Sequence, residues 1–527
     1  MAKGKLTGPV GRPAYRTGRL IMLQGTASSV GKSLLTAGLC RILRQDGYRA
    51  APFKAQNMSN NSFVTRDGGE MGRAQVAQAQ AAGIEPSVDM NPILLKPEAD
   101  ARSQVVVLGK AMATMSARDY YQHRAELMPV VLESLQRIRQ QYDVVVIEGA
   151  GSPAEINLRS GDLVNMGLAT AVDAPVLLVG DIDRGGVFAH LVGTLELLEP
   201  HERSLVKGFI INKFRGDVSL LGNALAFLEQ RTKVPVLGVV PYLHGHGIPE
   251  EDGVVLEKPP SPAEPDIARD VIDIVVLRLP RISNFTDFAP FEREPSVRLR
   301  YVSNTSELGR PDVVILPGTK STMADLDFLR QQGLDRAICR LAQQGVLVMG
   351  ICGGYQMLGT MIHDPLHVES EQDASPGLGL LPVETVFSAG KRTARVSARA
   401  AATVGPQKAA AGALVTGYEI HNGVTRSGGL SPAFRVIQRS GVEVDDPDGA
   451  ASPAGNVMGT YIHGLFDESG FRQSFLQGIA RKKGLYRPPA AAQPAMDEVY
   501  DRWAAHVRGH LDIGRIYEIA GLEKRGG

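Results

Sequence analysis

A glycine-rich loop set between an apolar run and an amphipathic one constrains this chain more than any other feature. Leu20 to Leu23 is continuously apolar, as a strand covered on both faces would be. Gly25-Thr26-Ala-Ser-Ser-Val-Gly31-Lys32-Ser33 follows, and beyond it Leu34, Leu35, Leu39, Ile42 and Leu43 recur at helical spacing as far as Gly47. Strand, glycine turn and helix in that order put unpaired helix N-terminal amides at a sheet edge, where they attract phosphate oxygens. Lys32 is then positioned to reach the β- and γ-phosphates of a nucleotide, and Ser33 to offer its hydroxyl to Mg²⁺. Five residues rather than the usual four separate Gly25 from Gly31.

The same rhythm continues through the first half. Ala50 to Phe53, Val105 to Leu108, Val144 to Ile147, Val176 to Val179, Phe209 to Ile211 and Val236 to Val240 are short strand-like runs separated by amphipathic stretches, which predicts a doubly wound α/β domain over residues 19–258. Four prolines in Glu257-Lys-Pro-Pro-Ser-Pro-Ala-Glu-Pro265 mark a linker. Ile274 to Leu277, Val313 to Leu316 and Val346 to Met349 open a second α/β domain over 271–467, closed by segments Gly417 to Gly423 and Val457 to Gly464. The stretch from Asp373 to Ala413 is the least readable, and 468–527 reads as a helical extension.

At 527 residues and 43% hydrophobic, the chain can bury more than one core. Its 57 basic and 56 acidic residues leave no broad electrostatic footprint for nucleic acid or an anionic membrane, so neither is expected as a partner. Cys40, Cys339 and Cys352 are the only cysteines and show no paired spacing, which suits a reducing cytoplasm. The apolar stretch near the start is far too short for a signal segment or a membrane span. A homo-oligomer is left open.

Carboxylates that follow strands of a doubly wound sheet collect at its ligand-binding edge. Glu148 ends Val144-Val-Val-Ile147 and is the first choice for a Mg²⁺ ligand beside Ser33; Asp181 and Asp183 occupy a similar edge and are weaker candidates. Phe53-Lys54-Ala-Gln-Asn57 follows the second strand to the same edge, so Lys54 is a candidate to hold an acyl group or the γ-phosphate, with Asn57 beside it.

A second reaction centre is written into Gly350-Ile-Cys352-Gly353-Gly354. A strand runs into it and a helical pattern leaves it, and small residues on both sides permit the sharp turn that exposes a nucleophile. A helix N-terminus favours thiolate over thiol. Leu316-Pro-Gly318-Thr319 follows another strand, and the backbone N–H groups of Gly318 and Gly353 are expected to form an oxyanion hole. His463 in Gly459-Thr-Tyr-Ile-His463-Gly464 supplies a base for the thiol and for the leaving amine. Glu419 and His421, in Gly417-Tyr-Glu-Ile-His-Asn-Gly423, either support this pocket or serve only as structural hydrogen-bonding groups.

The phosphate loop together with Ile147-Glu148-Gly-Ala-Gly151 resembles dethiobiotin synthetase, which implies that Asn212, after Phe209 to Ile211, holds the nucleotide base. Residues 271–467 resemble the class I, triad-type glutamine amidotransferases. That family places Glu two residues after the histidine; here the position is Leu465, so the third member is missing or comes from elsewhere, a pattern similar to the cobyrinate-synthase branch. The long block Pro52 to Gln75, with Asn91-Pro-Ile-Leu-Leu-Lys-Pro97, resembles the cobyric acid synthase family over about residues 19–510.

That resemblance implies ATP-dependent, glutamine-hydrolysing amidation of the b, d, e and g carboxylates of adenosylcobyrinic acid a,c-diamide, with ATP, Mg²⁺ and glutamine. No Asp-x-His-x-x-Gly run offers a histidine to cobalt, so binding through the acidic corrin periphery is expected, with Lys54, Arg66, Arg73 and Lys96 as carboxylate partners; Asp67 and Glu70 are candidates for Mg²⁺ or a substrate amide. Two alternatives compete with this expectation. The related a,c-diamide synthase is disfavoured by Ala55-Gln-Asn-Met-Ser-Asn-Asn61. A partition-type switch ATPase with a silent amidotransferase-like domain carries an early loop lysine where this chain has Thr26-Ala27, and leaves Cys352 and His463 unexplained.

Overall fold

The computed structural model describes residues 17–99, 102–249, 271–402, 405–426, 428–485 and 494–523; the proline-rich linker lies outside them. In the first half, β1 (Arg19–Gly25), α1 (Lys32–Gln45), β2 (Ala50–Phe53), β3 (Gln56–Met58) and α2 (Arg73–Ala82) come first. An antiparallel excursion follows, β4 (Ile93–Ala99), β5 (Arg102–Val107) and β6 (Lys110–Ser116), then α3 (Ala117–His123), α4 (Met128–Gln141), β7 (Val144–Glu148), β8 (Val176–Asp181), β9 (Val206–Phe214) and β10 (Val236–Pro241).

Six of these strands form a parallel sheet in the order β10-β9-β8-β1-β7-β2. The order reverses direction at β1, so the loop leaving β1 opens at a topological switch point, where doubly wound folds bind ligands. Alternate residues of β1 enter different cores: Leu20 and Met22 pack on one face, Ile21 and Leu23 on the other. That two-sided burial is why the strand reads as continuously apolar rather than alternating. Val105 to Leu108 departs from expectation. Its run belongs to β5, in a separate sheet ordered β3-β4-β5-β6 in which β5 is antiparallel to both neighbours. A short apolar run carries no signal of strand direction.

The second half holds a parallel sheet of β11 (Ile272–Leu277), β12 (Val297–Val302), β13 (Val313–Leu316), β14 (Leu347–Ile351) and, across the chain, β17 (Val457–Thr460), ordered β12-β11-β13-β14-β17. The helix α5 (Gly353–Leu358) leaves β14. An antiparallel layer is built on β15 (Glu384–Ala400) and β16 (Leu414–Arg426). The poorly readable stretch from 373 to 413 thus contains a long strand whose burial alternates at both ends and lapses over residues 388–393.

The C-terminal helices are shared between the two units. Phe471, Phe475, Leu476 and Ile479 of α6 (Ser469–Lys483) belong to the second core. Val499, Trp503 and Val507 of α7 (Met496–His510) and Ile516 of α8 (Ile513–Ala520) return to the first, against α1. Arg41 of α1 pairs with Asp497 and Asp501 at 2.7 Å each, and Arg508 with Asp46 at 2.7 Å. No described helix is long and apolar enough to cross a membrane.

Candidate functional site

The phosphate loop leaves β1 at Gly25 and re-enters α1 at Gly31, whose φ of 98° lies in the left-handed region that favours glycine. A Cβ there would sit 2.2 Å from Asn212 Nδ2. Asn212, in β9, donates to the Val30 carbonyl at 2.8 Å. Its neighbour Lys213 donates to the Ser29 carbonyl at 2.5 Å and pairs with Asp181 at 3.0 Å. Asp181 and Lys213 therefore brace the loop from the adjacent strands. Asp183 is held at 2.8 Å by Arg215, whose guanidinium lies 3.9 Å over the Tyr242 ring.

Lys32 Nζ donates to the carbonyls of Ala27 at 3.0 Å and Gly151 at 3.2 Å, so its ammonium lies between the loop and the turn after β7. At the same edge Glu148 accepts from Ser33 Oγ at 2.7 Å, Lys54 Nζ at 2.8 Å and Gln78 Nε2 at 2.6 Å. Burial pushes this carboxyl up, but the Lys54 ammonium and the hydroxyl and amide donors outweigh it and hold Glu148 below its usual range. Asn57 donates to Gln75 at 3.1 Å, one side chain removed from Glu148. Ser33, Lys54, Asn57 and Glu148, read from separate stretches of sequence, thus converge. A cavity of about 320 Å³ runs from them past Asn212 to Tyr242, His246 and Trp503. Trp503 comes from α7, and its indole donates to the Leu34 carbonyl at 2.7 Å.

Ser33 and Glu148 offer the hard oxygen donors that Mg²⁺ takes. Among the described residues no group of three or more His, Cys, Asp or Glu is placed to hold a metal.

At the second centre Cys352 caps α5 with φ 53° and ψ −112°, a conformation non-glycine residues seldom adopt. The elbow needs small neighbours: a Cβ on Gly354 would lie 2.0 Å from the Leu316 carbonyl oxygen. Cys352 is buried, with Sγ 3.4 Å from the Ile420 carbonyl of β16. His463 is brought beside it by a short strand paired to Tyr418 and Glu419. A Cβ on Gly318 would lie 2.9 Å from His463 Cε1, and one on Gly353 would meet Thr319, so the two expected oxyanion glycines flank the thiol and the imidazole.

Sequence reading missed the partner of His463. Asp287, in the turn Phe285–Phe288 after β11, accepts from His463 Nδ1 at 2.7 Å through Oδ2 and from the Gly464 amide at 3.0 Å through Oδ1. A carboxylate only accepts, so Nδ1 carries the proton and Nε2 is left for the sulfur. Burial pushes the imidazole down, but Asp287 and then Cys352 raise it to about 10. Asp287 lies 176 residues from His463 in sequence and carries no motif, so no local signal marked it.

Two buried groups in the same cavity have atoms without a partner, Glu369 Oε2 and His421 Nε2. Glu369 accepts from the Thr322 amide at 2.6 Å through its other oxygen, and burial, opposed by those Thr322 donors, lifts its carboxyl to about 7. Burial and Arg392 press His421 down to about 3, which leaves the ring neutral, with Nδ1 donating to the Gly423 carbonyl at 3.2 Å and Nε2 a bare acceptor. Glu419 does not line the cavity; Arg439 holds it at 3.1 Å.

Known proteins resemble the chain throughout its length. Residues 21–251 match the CobQ/CobB/MinD/ParA nucleotide binding domain, and 273–471 match the CobB/CobQ-like glutamine amidotransferase domain. The cobyric acid synthase of Sorangium cellulosum is 54% identical over 529 residues, covering 97% of this chain and 100% of that protein. Those of Dehalococcoides mccartyi and Desulforamulus reducens are 51% identical over 501 residues and 52% over 510, covering 95% and 96% of this chain and 98% of each relative. The chain belongs to the cobyric acid synthase family.

In this cobyric acid synthase family member, most side chains expected to meet corrin carboxylates are committed elsewhere. Lys54 is bound to Glu148. Lys96 donates to Ser62 Oγ at 2.9 Å and pairs with Glu70, which also takes Lys391 from β15. Arg73 pairs with Asp467 at 3.5 Å and lies 5.2 Å over the Phe63 ring; Arg66 alone is exposed. Asp67 accepts from Thr65 at 2.5 Å in a local turn, and Glu70 is 1% exposed at the junction of the two units, remote from a role at Mg²⁺. The block from Asn61 to Glu70 is in fact a docking surface for the second unit. Asn61 and Asn284 exchange side chain to backbone bonds, with Asn284 Oδ1 taking the Ser62 amide at 2.9 Å and Asn61 Oδ1 the Phe285 amide at 3.0 Å. Thr393 reaches the Gly68 carbonyl at 2.9 Å and Arg395 the Val64 carbonyl at 2.9 Å.

Proposed function

We propose that the two centres act in series, with Cys352 releasing ammonia from glutamine and the phosphate-loop unit spending ATP to install it on the corrin acid. Glutamine-dependent amidation in cobalamin biosynthesis is the activity of this family, and the nucleotide-binding unit implies ATP use. The finer reading is that the b, d, e and g carboxylates of adenosylcobyrinic acid a,c-diamide are amidated, one ATP and one glutamine for each.

A carboxylate is a poor acyl donor at neutral pH, because its carbon is shielded by negative charge and its oxygen is a poor leaving group. Its oxygen attacks the γ-phosphorus, the bond from that phosphorus to the β,γ-bridging oxygen breaks, and ADP leaves, so the substrate becomes an acyl phosphate. Ammonia then attacks the acyl carbon, inorganic phosphate departs and a proton is lost. Positioning and charge neutralisation carry such a transfer. Gly25, Thr26 and Gly31 supply the backbone cradle, Lys32 the cation at the transferred group, Asn212 the brace between loop and base, and Lys54, paired with Glu148, lies with Asn57 on the γ-phosphate side of the nucleotide cavity. Ser33 and Glu148 would hold Mg²⁺, which when bound neutralises phosphate charge.

Cys352 attacks the glutamine amide carbon, the amide C–N bond breaks as His463 delivers a proton to the leaving nitrogen, and a thioester remains. Water, deprotonated by His463, then releases glutamate. Asp287 fixes the tautomer that makes this exchange productive, and the Gly318 and Gly353 amides face the oxyanion. Glu369 Oε2, buried and unpartnered, is suited to the α-ammonium of glutamine, and His421 Nε2 to one of its N–H groups.

The observation that carries this reading is that the Cys352 cavity is walled by residues from both units, Lys96 from β4 together with Asn284 and Lys391. Lys96 and Lys391 both meet Glu70, so ammonia leaves the thiol at an interface rather than into open solvent. The test is mass spectrometry of cobyrinic acid a,c-diamide, in its adenosylated form, incubated with the protein, ATP, Mg²⁺ and glutamine. Each carboxylate amidated exchanges a hydroxyl for an amino group, and a corrinoid of unchanged mass with either glutamine or ammonium as nitrogen source overturns the reading.

A further inference from the structure

A second cavity adjoins the phosphate loop. It measures about 520 Å³ and lies between the β3-β4-β5-β6 sheet with α3 on one side and the 150–165 turn on the other. Its floor is apolar and supple, formed by Met58, Leu95, Val105 and Met115, with Tyr121 and Arg124 on one wall. At its inner end are Thr26, Ala27 and Ser28, and four residues, Ser28, Met58, Ala150 and Gly151, line this cavity and the nucleotide cavity alike. The two spaces therefore meet where Lys32 lies between Ala27 and Gly151.

Large apolar side chains of its lining stand exposed: Met58 at 61% and Tyr121 at 45%. Polar groups inside are incompletely matched. Arg124 is buried, caps the Leu158 and Ser160 carbonyls and lies 4.7 Å over the Tyr121 ring, yet its Nε has no partner. Asn165 is 4% exposed and spends its amide nitrogen on the Ala150 carbonyl at 2.6 Å, leaving Oδ1 unpartnered. Buried polar atoms without partners and an apolar rim together mark a place built for a ligand with both characters.

We propose that this cleft seats the edge of the corrin macrocycle, so that one peripheral carboxylate at a time reaches the junction at Ser28 and Gly151. The assignment rests on the function proposed above. An acceptor phosphorylated by bound ATP must approach from the side of the phosphate loop opposite the nucleotide, and this cavity opens on the loop at Thr26, Ala27 and Ser28. Amidating several carboxylates around one ring requires the ring to rebind in several orientations. A fitted array of charged partners would favour one orientation over the rest, whereas methionine and tyrosine surfaces accept an apolar edge in many. The lysines and arginine of the 54–96 block that would have made such an array are tied into ion pairs instead.

The test uses the full chain and cobyrinic acid a,c-diamide, with Tyr121→Ala and Ala117→Glu as exposed substitutions in the lining and thermal unfolding as the check on folding. Corrinoid binding is read by equilibrium dialysis and turnover by mass spectrometry. The expected result is a Kd and a KM for the corrinoid raised about tenfold or more in each variant, with KM for ATP unmoved. Unchanged corrinoid affinity in both variants, alongside normal amidation by the unsubstituted protein, overturns the cleft and leaves the proposed function standing. Absence of corrinoid binding and turnover in the unsubstituted protein refutes the function itself, and the cleft with it.

Discussion

Replacing Asp287 by Asn tests the arrangement that sequence did not reveal. The substitution keeps the shape of the side chain but removes the carboxylate charge that raises the imidazole and exchanges an accepting oxygen for an amide that can donate, so His463 loses the partner that fixes its Nδ1–H and turns Nε2 to Cys352. The structure sets the scale. Burial alone presses the imidazole below 6.5, and Asp287 is the first influence that lifts it to about 10. That rise corresponds to at most about 5 kcal/mol, and relaxation of a coupled pair brings the usable part to on the order of 2–3 kcal/mol. Glutaminase turnover, measured as glutamate release, should therefore fall by roughly 30- to 150-fold in kcat, through loss of the carboxylate that orients the imidazole of a nucleophile–imidazole pair. Synthesis supplied with ammonium should stay within about twofold of the unsubstituted protein.

The pH dependence follows the same sign. A histidine whose folded value is raised stabilises fully below its unfolded value of 6.5, and that stabilisation disappears as pH climbs through about 10. Unfolding midpoints of the unsubstituted protein should decline across that window, and Asp287→Asn should flatten the decline. Glutamate release by Asp287→Asn at the original rate, with an unaltered pH profile, would refute the reasoning and return the site to a Cys352–His463 pair acting alone.

Cys352→Ser should abolish glutamine-supported synthesis while ammonium-supported synthesis persists, measured on the same corrinoid preparation. Lys32→Ala should lose amidation from either nitrogen source, with glutamate release retained. Lys391→Met removes one of the two cations on Glu70 and should uncouple the centres, raising glutamate released per amide formed; an unchanged ratio would deny that junction a part in transfer. Because Lys391 and Lys96 hold Glu70 well below its ordinary 4.5 despite burial, the stabilisation it gives is complete above that value and is lost as pH falls below it, so acid should separate the two units before either unfolds, as seen by tryptophan fluorescence and scattering. Trp503→Ala should cost about 3–5 kcal/mol of stability and weaken ATP binding, although Trp503 lies 469 residues from Leu34 in sequence.

What could be read from the chain was whatever local chemistry writes locally. The phosphate loop, the Cys352 elbow and the strand ending in Glu148 each combine a backbone demand with a functional side chain inside about ten residues. Both parallel sheets were legible for the same reason, since strands buried on two faces leave continuous apolar runs. β5 has such a run too, and only its partners make it antiparallel, so its sheet was misplaced and with it the cleft it floors.

Asp287 is the opposite case. Its turn is unremarkable as sequence, and its role exists only because β11, β17 and the loop beyond bring it to 2.7 Å from His463. Position, rather than spacing, decides which carboxylate orients the base, so Leu465 at the familiar place left the question open without answering it. The charged residues of the 54–96 block erred in the other direction. Their density suggested a binding surface for an acidic ligand, and they do bind carboxylates, those of Glu148, Glu70 and Asp467. Glu70 is buried beneath Lys96 and Lys391, where its charge persists only while both cations remain. A charge pattern is the same whether its partner is a substrate or the other half of the protein, and the choice between them is made by burial. Here burial assigns Lys96, together with Lys391, to joining the two units through Glu70.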